Sequence, residues 1–200
     1  QEEIAFIRER RPMMSVLTDM LARGELPLRV THNDTKLNNV MLDDVVGKPV
    51  CVIDLDTVMP GLSLYDFGDS IRFGANHAAE DERDLSKVYC DLNLFAQYTK
   101  GYLEECGSML TENEIRMLAF SARLLTLECG MRFLTDHLQG DTYFKIHREG
   151  HNLDRCRTQL RLVADMEKKA DEMEEIVRRY AGTARSGESV SVPCGQAVNQ

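Results

Sequence analysis

An α+β domain, mostly helical, with one small β-hairpin carrying the polar chemistry, is what this sequence predicts. Three observations point there. Apolar residues recur at steps of three and four along most of the chain. Only two short stretches after residue 30 read as strands, Val40-Met41-Leu42 and Val50-Cys51-Val52-Ile53, and Gly47 and Pro49 mark a turn between them. His32, Asp34 and Asn39 crowd the approach to the first strand, and Asp54 and Asp56 follow the second.

In chain order, Ile4, Ile7, Met14, Leu17, Met20 and Leu21 predict a helix from about Glu2 to Arg23, broken or kinked at Pro12 and stopped at Gly24. Leu28-Arg29-Val30 is a short apolar piece, and the polar run Thr31 to Asn39 and the hairpin follow it. Beyond the hairpin the chain reads as helices, over Asp66 to Phe73, over about Asp81 to Glu105, and from Thr111, where Thr111 and Glu114 have capping-box spacing. The last spans about Asp154 to Tyr180 on a stripe of Leu160, Val163, Met166, Ala170, Met173, Val177 and Tyr180. That stripe suits a surface helix docked on the core better than a coiled coil, which wants three to four clean heptads. Residues 182–200, rich in Gly, Ser and Val without periodicity, read as a disordered tail.

Two hundred residues suit one domain. Against 24 basic residues stand 33 acidic ones, a net charge of −9, which argues against a nucleic-acid binder. No apolar run approaches the roughly 20 residues of a membrane helix, and no signal peptide opens the chain. The six cysteines form no CxxC pair and read as reduced, buried thiols of a cytoplasmic protein.

The chemistry concentrates between Thr31 and Asp69. A hairpin brings its two ends together, so Asn39 should lie near Asp54 and Asp56, with Asp34 in reach. Two or three carboxylates and an amide oxygen are hard ligands suited to Mg²⁺. One carboxylate is left to accept a proton from a nucleophile. A loop Asp, an Asn five residues on and an Asp at the next strand end are the parts that phosphoryl transfer uses for positioning and charge neutralisation. The competing reading is a polar turn followed by a solvated strand end, and the whole pattern, HxDxxxxN, an apolar strand and IDxD, is far more specific than its pieces.

The segments His32-Asn33-Asp34-Thr35-Lys36-Leu37-Asn38-Asn39-Val40-Met41-Leu42, Ile53-Asp54-Leu55-Asp56-Thr57-Val58-Met59-Pro60-Gly61 and Tyr65-Asp66-Phe67-Gly68-Asp69 resemble the aminoglycoside phosphotransferase and choline kinase family, small-molecule kinases with a protein-kinase-like fold. Within it they are most similar to N-acetylhexosamine 1-kinases. The similarity covers about residues 31–76, and weaker helical similarity extends to about 165. By this resemblance Asp34 is the catalytic base that takes the proton of the sugar's anomeric hydroxyl. Asn39 and Asp54 hold Mg²⁺, Asp56 is a third or outer carboxylate, and His32 and Asp66 support the catalytic loop. The string Asp66-Phe67-Gly68 looks like the protein-kinase DFG, but the metal Asp here should be Asp54. Arg132, on an apolar stripe through Leu118, Ala122, Leu125 and Cys129, is either the i,i+4 partner of Glu128 or a donor to the sugar. Phe73 and Tyr143 either flank the sugar or belong to the core. His77, His137, His147 and His151 have no ligand spacing and read as surface or packing residues.

The resemblance also implies a nucleotide lobe with a phosphate-binding Lys. Only 31 residues precede His32, they read mostly as helix, and none forms a glycine-rich loop. The expectation is therefore a C-terminal lobe at 1–181, with its catalytic loop and hairpin at 31–57 and no N-terminal nucleotide lobe. Its parent enzyme would transfer the γ-phosphate of MgATP to an N-acetylhexosamine (GlcNAc or GalNAc) to give the sugar 1-phosphate, and this chain alone would transfer phosphate poorly or not at all. Its partners would be the sugar, MgATP, and the missing lobe or a second copy at the exposed cleft, with no nucleic acid and no membrane. The alternatives are a choline, ethanolamine, homoserine or aminoglycoside kinase, a non-catalytic pseudo-kinase that binds a partner, and a Mg²⁺-dependent hydrolase. Choline would need an aromatic cage, hard to build with no Trp.

Overall fold

The computed structural model describes residues 1–186. Seven α-helices are described: α1 (Glu2–Glu9), α2 (Val16–Ala22), α3 (Ser63–Gly74), α4 (Leu92–Cys106), α5 (Glu112–Leu138), α6 (His151–Lys168) and α7 (Ala170–Ser186). Four short strands, β1 (Arg29–Thr31), β2 (Val40–Leu42), β3 (Pro49–Val52) and β4 (Met59–Gly61), make two antiparallel pairs, β1 with β4 and β2 with β3. The mostly helical α+β class and the β2–β3 hairpin are as the sequence predicts.

α5 is the central element, and α3, α6 and α7 pack on it. Its start is fixed by the expected capping box: Thr111 accepts from the Glu114 amide at 3.2 Å and the Glu114 carboxylate accepts from the Thr111 amide at 2.8 Å. Phe67, Ile71, Phe95, Leu118 and Met166 are fully buried between these helices and α4. Each such side chain contributes roughly 1.5–3 kcal/mol relative to exposure. A smaller cluster of Leu127, Phe133, Cys156, Leu160 and Val163 joins α5 to α6, and Phe6 and Ile7 of α1 lie against it. α3 approaches α5 so closely that a Cβ on Gly68 would stand 2.6 Å from the Ser121 carbonyl oxygen. That contact is with backbone, which cannot swing aside, so the glycine of the DFG-like string is a packing residue here.

Several boundaries differ from the sequence reading. The break expected at Pro12 is present, as a 3-10 turn at Arg11–Met13 between α1 and α2. The helix expected over Asp66 to Phe73 already starts at Ser63. That expected over Asp81 to Glu105 starts only at Leu92, because Asp91 caps it through the Asn93 and Leu94 amides at 2.8 and 3.1 Å. Residues 75–91 instead run as irregular chain with one 3-10 turn at Leu85–Lys87, and bury Val88 and Cys90. The last helix is two, broken at Lys169, and both halves bury the expected stripe apart from Ala170, which is half-buried at the break. α7 continues to Ser186, past the boundary expected at 181. The rest of the expected tail, with Cys194, lies outside the described residues. Cys90 and Cys156 are buried free thiols, as expected, but Cys51 is exposed because both faces of β3 are.

Candidate functional site

The hairpin alone does not build the site. β2–β3 is inserted between β1 and β4, so the 32–39 loop leaves β1 for β2 while residues 53–58 return from β3 to β4. Thr31 pairs with Met59 at one end of this frame, and Val40 pairs with Val52 at the other. The two loops are thereby held side by side. Gly61 permits the close β1–β4 approach, since a Cβ there would clash with Thr31 Oγ1.

Hydrogen bonds then join loop to loop. Asn33 Nδ2 donates to the Thr57 carbonyl at 3.0 Å, and Thr57 Oγ1 donates to the His32 carbonyl at 2.6 Å. His32 Nδ1 accepts from the Asp34 amide at 3.3 Å, which assigns the ring proton to Nε2, and Nε2 reaches the Ile53 carbonyl at 3.0 Å. The Ile53 amide donates to the Asn39 carbonyl at 2.9 Å. His32 thus spans from the Asp34 loop to the strand end that presents Asp54. Asn33 and Asp54 both adopt left-handed backbone, φ 62° and 64°. Asn and Asp tolerate this region, and such residues concentrate at functional sites.

Asp66, in the first turn of α3, grips the loop from below. Its carboxylate accepts from the His32 and Asn33 amides, both at 2.8 Å, and its carbonyl accepts from Thr35 Oγ1 at 2.7 Å. Asp34 Oδ2 accepts from Asn39 Nδ2 at 2.8 Å and from the Lys36 ammonium at 2.7 Å. Burial pushes the Asp34 carboxyl up, but the bonds from Lys36 and Asn39 outweigh it, and the net shift is downward. Asp34 is therefore a carboxylate at neutral pH, fit to accept a proton. Lys36, not singled out from the sequence, is held protonated by its bond to Asp34 with help from Asp54 and Asp69. Its Asp-Thr-Lys spacing was the available signal.

Asp54 and Asp56 come together on the returning loop. The hydrogen bond with Asp56 and its negative charge push the Asp54 carboxyl up, with a further contribution from Asp34. No three His, Cys, Asp or Glu side chains converge as a metal cluster among the described residues. The candidate set is instead two carboxylates and the Asn39 amide, all hard oxygen donors. The crowded negative charge at Asp54 and Asp56 is what a divalent cation relieves, so these residues fit Mg²⁺.

A cleft of about 890 Å³ opens beside Asp34 and Lys36 and runs between α3 and α5 to Arg132, Tyr143 and Phe144. It brings Asp34, Arg132 and Tyr143 together, but not Phe73, which is half-buried and outside its lining. Phe144, unnoticed in the sequence, supplies the second ring: it meets Tyr143 edge-on at 4.8 Å, and the Arg132 guanidinium stands 5.4 Å from its centroid. Arg132 is not the buried charge the stripe implied. Its side chain is 48% exposed and pairs loosely with Glu128, at 3.7 Å, so the i,i+4 contact and the cleft position coexist. Of the histidines, His147 lines the cleft, and His151 is buried with its ring on Asp81 at 3.0 Å.

A helical lobe with a small β-hairpin, its loop Asp facing a strand-end Asp pair, is the arrangement of a phosphotransferase of the kinase-like fold. Residues 1–101 match the family model described as APH, phosphotransferase enzyme family. The chain belongs to this phosphotransferase enzyme family, whose kinases generally use ATP and Mg²⁺. Among the described residues no helix is long and apolar enough to cross a membrane.

Proposed function

We propose that this chain is the acceptor-side lobe of a MgATP-dependent N-acetylhexosamine 1-kinase. The observation that carries the reading is the single cleft joining the Asp34 carboxylate to a wall of Tyr143, Phe144 and Arg132. Asp34 takes the proton of the anomeric hydroxyl as that oxygen bonds to the γ-phosphorus, and the bond from phosphorus to the bridging oxygen of ADP breaks. Asn39, Asp54 and Asp56 would hold Mg²⁺, which supplies charge neutralisation at the phosphates. Arg132 offers donors to sugar hydroxyls or the acetamido oxygen, and the rings offer a face for the pyranose. The charge of the cleft supports a neutral acceptor: Lys36, Arg72, Arg132, Lys145 and Arg155 offset Asp34, Asp69, Glu80 and Glu128. Choline or an aminoglycoside would want a net acidic pocket.

An acceptor panel with MgATP, read by phosphorus NMR, tests this. Phosphate on the anomeric oxygen of N-acetylglucosamine or N-acetylgalactosamine supports it. Phosphate on choline, homoserine or an aminoglycoside, or inorganic phosphate released without acceptor, overturns it. The 200-residue chain by itself is expected to transfer slowly or not at all, so the same panel is run with it as ligand-observed binding, where only the hexosamines should bind.

The exposed apolar side chains of the hairpin and its flanks support a nucleotide-holding lobe as partner. Thirteen of the nineteen exposed large hydrophobic side chains among the described residues lie between 28 and 59, Val30, Met41, Val50 and Leu55 among them. Monomers rarely leave so many large apolar side chains uncovered in one short segment. Without that lobe, the chain should self-associate at micromolar concentration by light scattering, and the pair Val50→Glu and Val52→Glu should restore the monomer. A chain that is monomeric throughout removes this proposal.

A further inference from the structure

Asp136 is a buried carboxylate that the chemistry at Asp34 does not use. It lies in the last turns of α5, 3% exposed, and does not line the cleft. Four donors converge on it. Oδ1 accepts from the Thr142 and Tyr143 amides at 2.9 and 2.8 Å, and Oδ2 accepts from the Phe144 amide at 2.9 Å and from Asn152 Nδ2 at 2.8 Å. Asn152, fully buried, also donates to Asp141 Oδ1 at 2.9 Å. The chain reverses through Gly140 and Asp141, both at positive φ, and the Asp141 amide closes on the Asp136 carbonyl at 2.8 Å. The segment after α5 is thus wrapped around a single side chain.

What that segment carries gives the arrangement its meaning. Tyr143 is 74% exposed and held by little besides its backbone, yet it and Phe144 form the ring wall of the cleft. An exposed ring on a free loop would have to be ordered each time a ligand bound. A ring on a fixed backbone is already in place.

The structure assigns Asp136 as a positioning residue, one that binds the backbone of Thr142–Phe144 and so holds Tyr143 and Phe144 in place for the acceptor. The assignment rests on the reading of the cleft as an acceptor site. Three successive amides on one carboxylate are a demanding match. An amide side chain in its place would turn a donor toward the Phe144 N–H or the Asn152 amide, where an acceptor is needed.

Hydrogen exchange on the full chain tests the backbone half without any ligand. The amides of Thr142, Tyr143 and Phe144 should be protected in the unmodified chain. In Asp136→Asn they should exchange at least about tenfold faster while those of Leu160 and Val163 in α6 keep their protection. N-acetylglucosamine is the probe for the second half. Its affinity should fall about tenfold in Asp136→Asn, as it should in Tyr143→Ala. Val163→Ala, which trims the same α5–α6 core but leaves the Asp136 bonds to the loop in place, should leave it unchanged. Unprotected amides in the unmodified chain overturn the assignment even if the variant fails to fold. So does an Asp136→Asn chain with full sugar affinity where Tyr143→Ala has lost it, or a Val163→Ala chain with the same loss. If the unmodified chain binds no N-acetylhexosamine, it is the acceptor reading that has failed, and the exchange result alone upholds or overturns Asp136 as the holder of the loop.

Discussion

Asp34→Asn is expected to lower phosphoryl transfer by about 10²–10⁴-fold, the usual contribution of a general base, while sugar binding stays nearly intact. The two effects separate because the substitution changes one property. An Asn at this position still offers an oxygen to the Lys36 ammonium and to Asn39 Nδ2, the partners that hold Asp34 at 2.7 and 2.8 Å. The loop is anchored elsewhere, by Asp66 and Thr57, so its course does not depend on the Asp34 carboxylate. What is lost is the capacity to accept the hydroxyl proton. A loss confined to the reacting state appears in kcat and not in acceptor binding. The measurement is a kcat and KM pair with N-acetylglucosamine in an active enzyme containing this chain, beside equilibrium binding of the sugar. Full activity in the variant would refute the base assignment. Equal loss of binding would mean that Asp34 holds the loop together.

The motif made the centre of the site legible in the sequence, and topology hid its frame. Asp34, Asn39 and Asp54 could be brought together on paper because a hairpin joins its own ends. The second clamp could not. β1 is three residues long, and its partner Met59-Pro60-Gly61 contains the two residue types that argue most strongly against a strand. Pro60 is tolerated because the pair has only two strands, and Gly61 is required because Thr31 lies so close. The break at Lys169 was invisible for another reason. The stripe through Met166, Ala170 and Met173 keeps its phase across it, and no Gly or Pro marks the spot. Between Asp81 and Leu92 the pattern suggested a helix, but Asp91 bonds its own following amides, a local preference that outcompetes helix continuation. Phe144 and Asp136 lay beyond reach because each acquires its role only when the loop after α5 turns back.

Glu114→Ala is expected to destabilise the fold by about 3 kcal/mol, the lower end of the range for breaking a buried ion pair. Glu114 is 2% exposed and closes the capping box of α5, yet its reach is longer than that. Its two oxygens accept from Arg29 of β1 at 2.7 and 2.8 Å, and Oε1 also accepts from Ser63 Oγ at 2.7 Å at the start of α3. One carboxylate therefore ties the central helix to the strand entering the 32–39 loop and to the helix that grips it. The low end applies because Arg29 is 31% exposed and can turn to water once its partner is gone. The pH dependence has a definite sign. Burial pushes the Glu114 carboxyl up, but Arg29, the Thr111 amide and Ser63 outweigh it and bring it from 4.5 to about 2. A carboxyl depressed in the folded state stabilises fully above its unfolded value and loses that contribution as pH falls toward the folded one. Urea unfolding should thus separate the two proteins most at pH 7 and progressively less between about pH 4.5 and 2. A gap that stays constant across that window would show that packing, and not the carboxylate's charge, joins α5 to the β1–β4 pair.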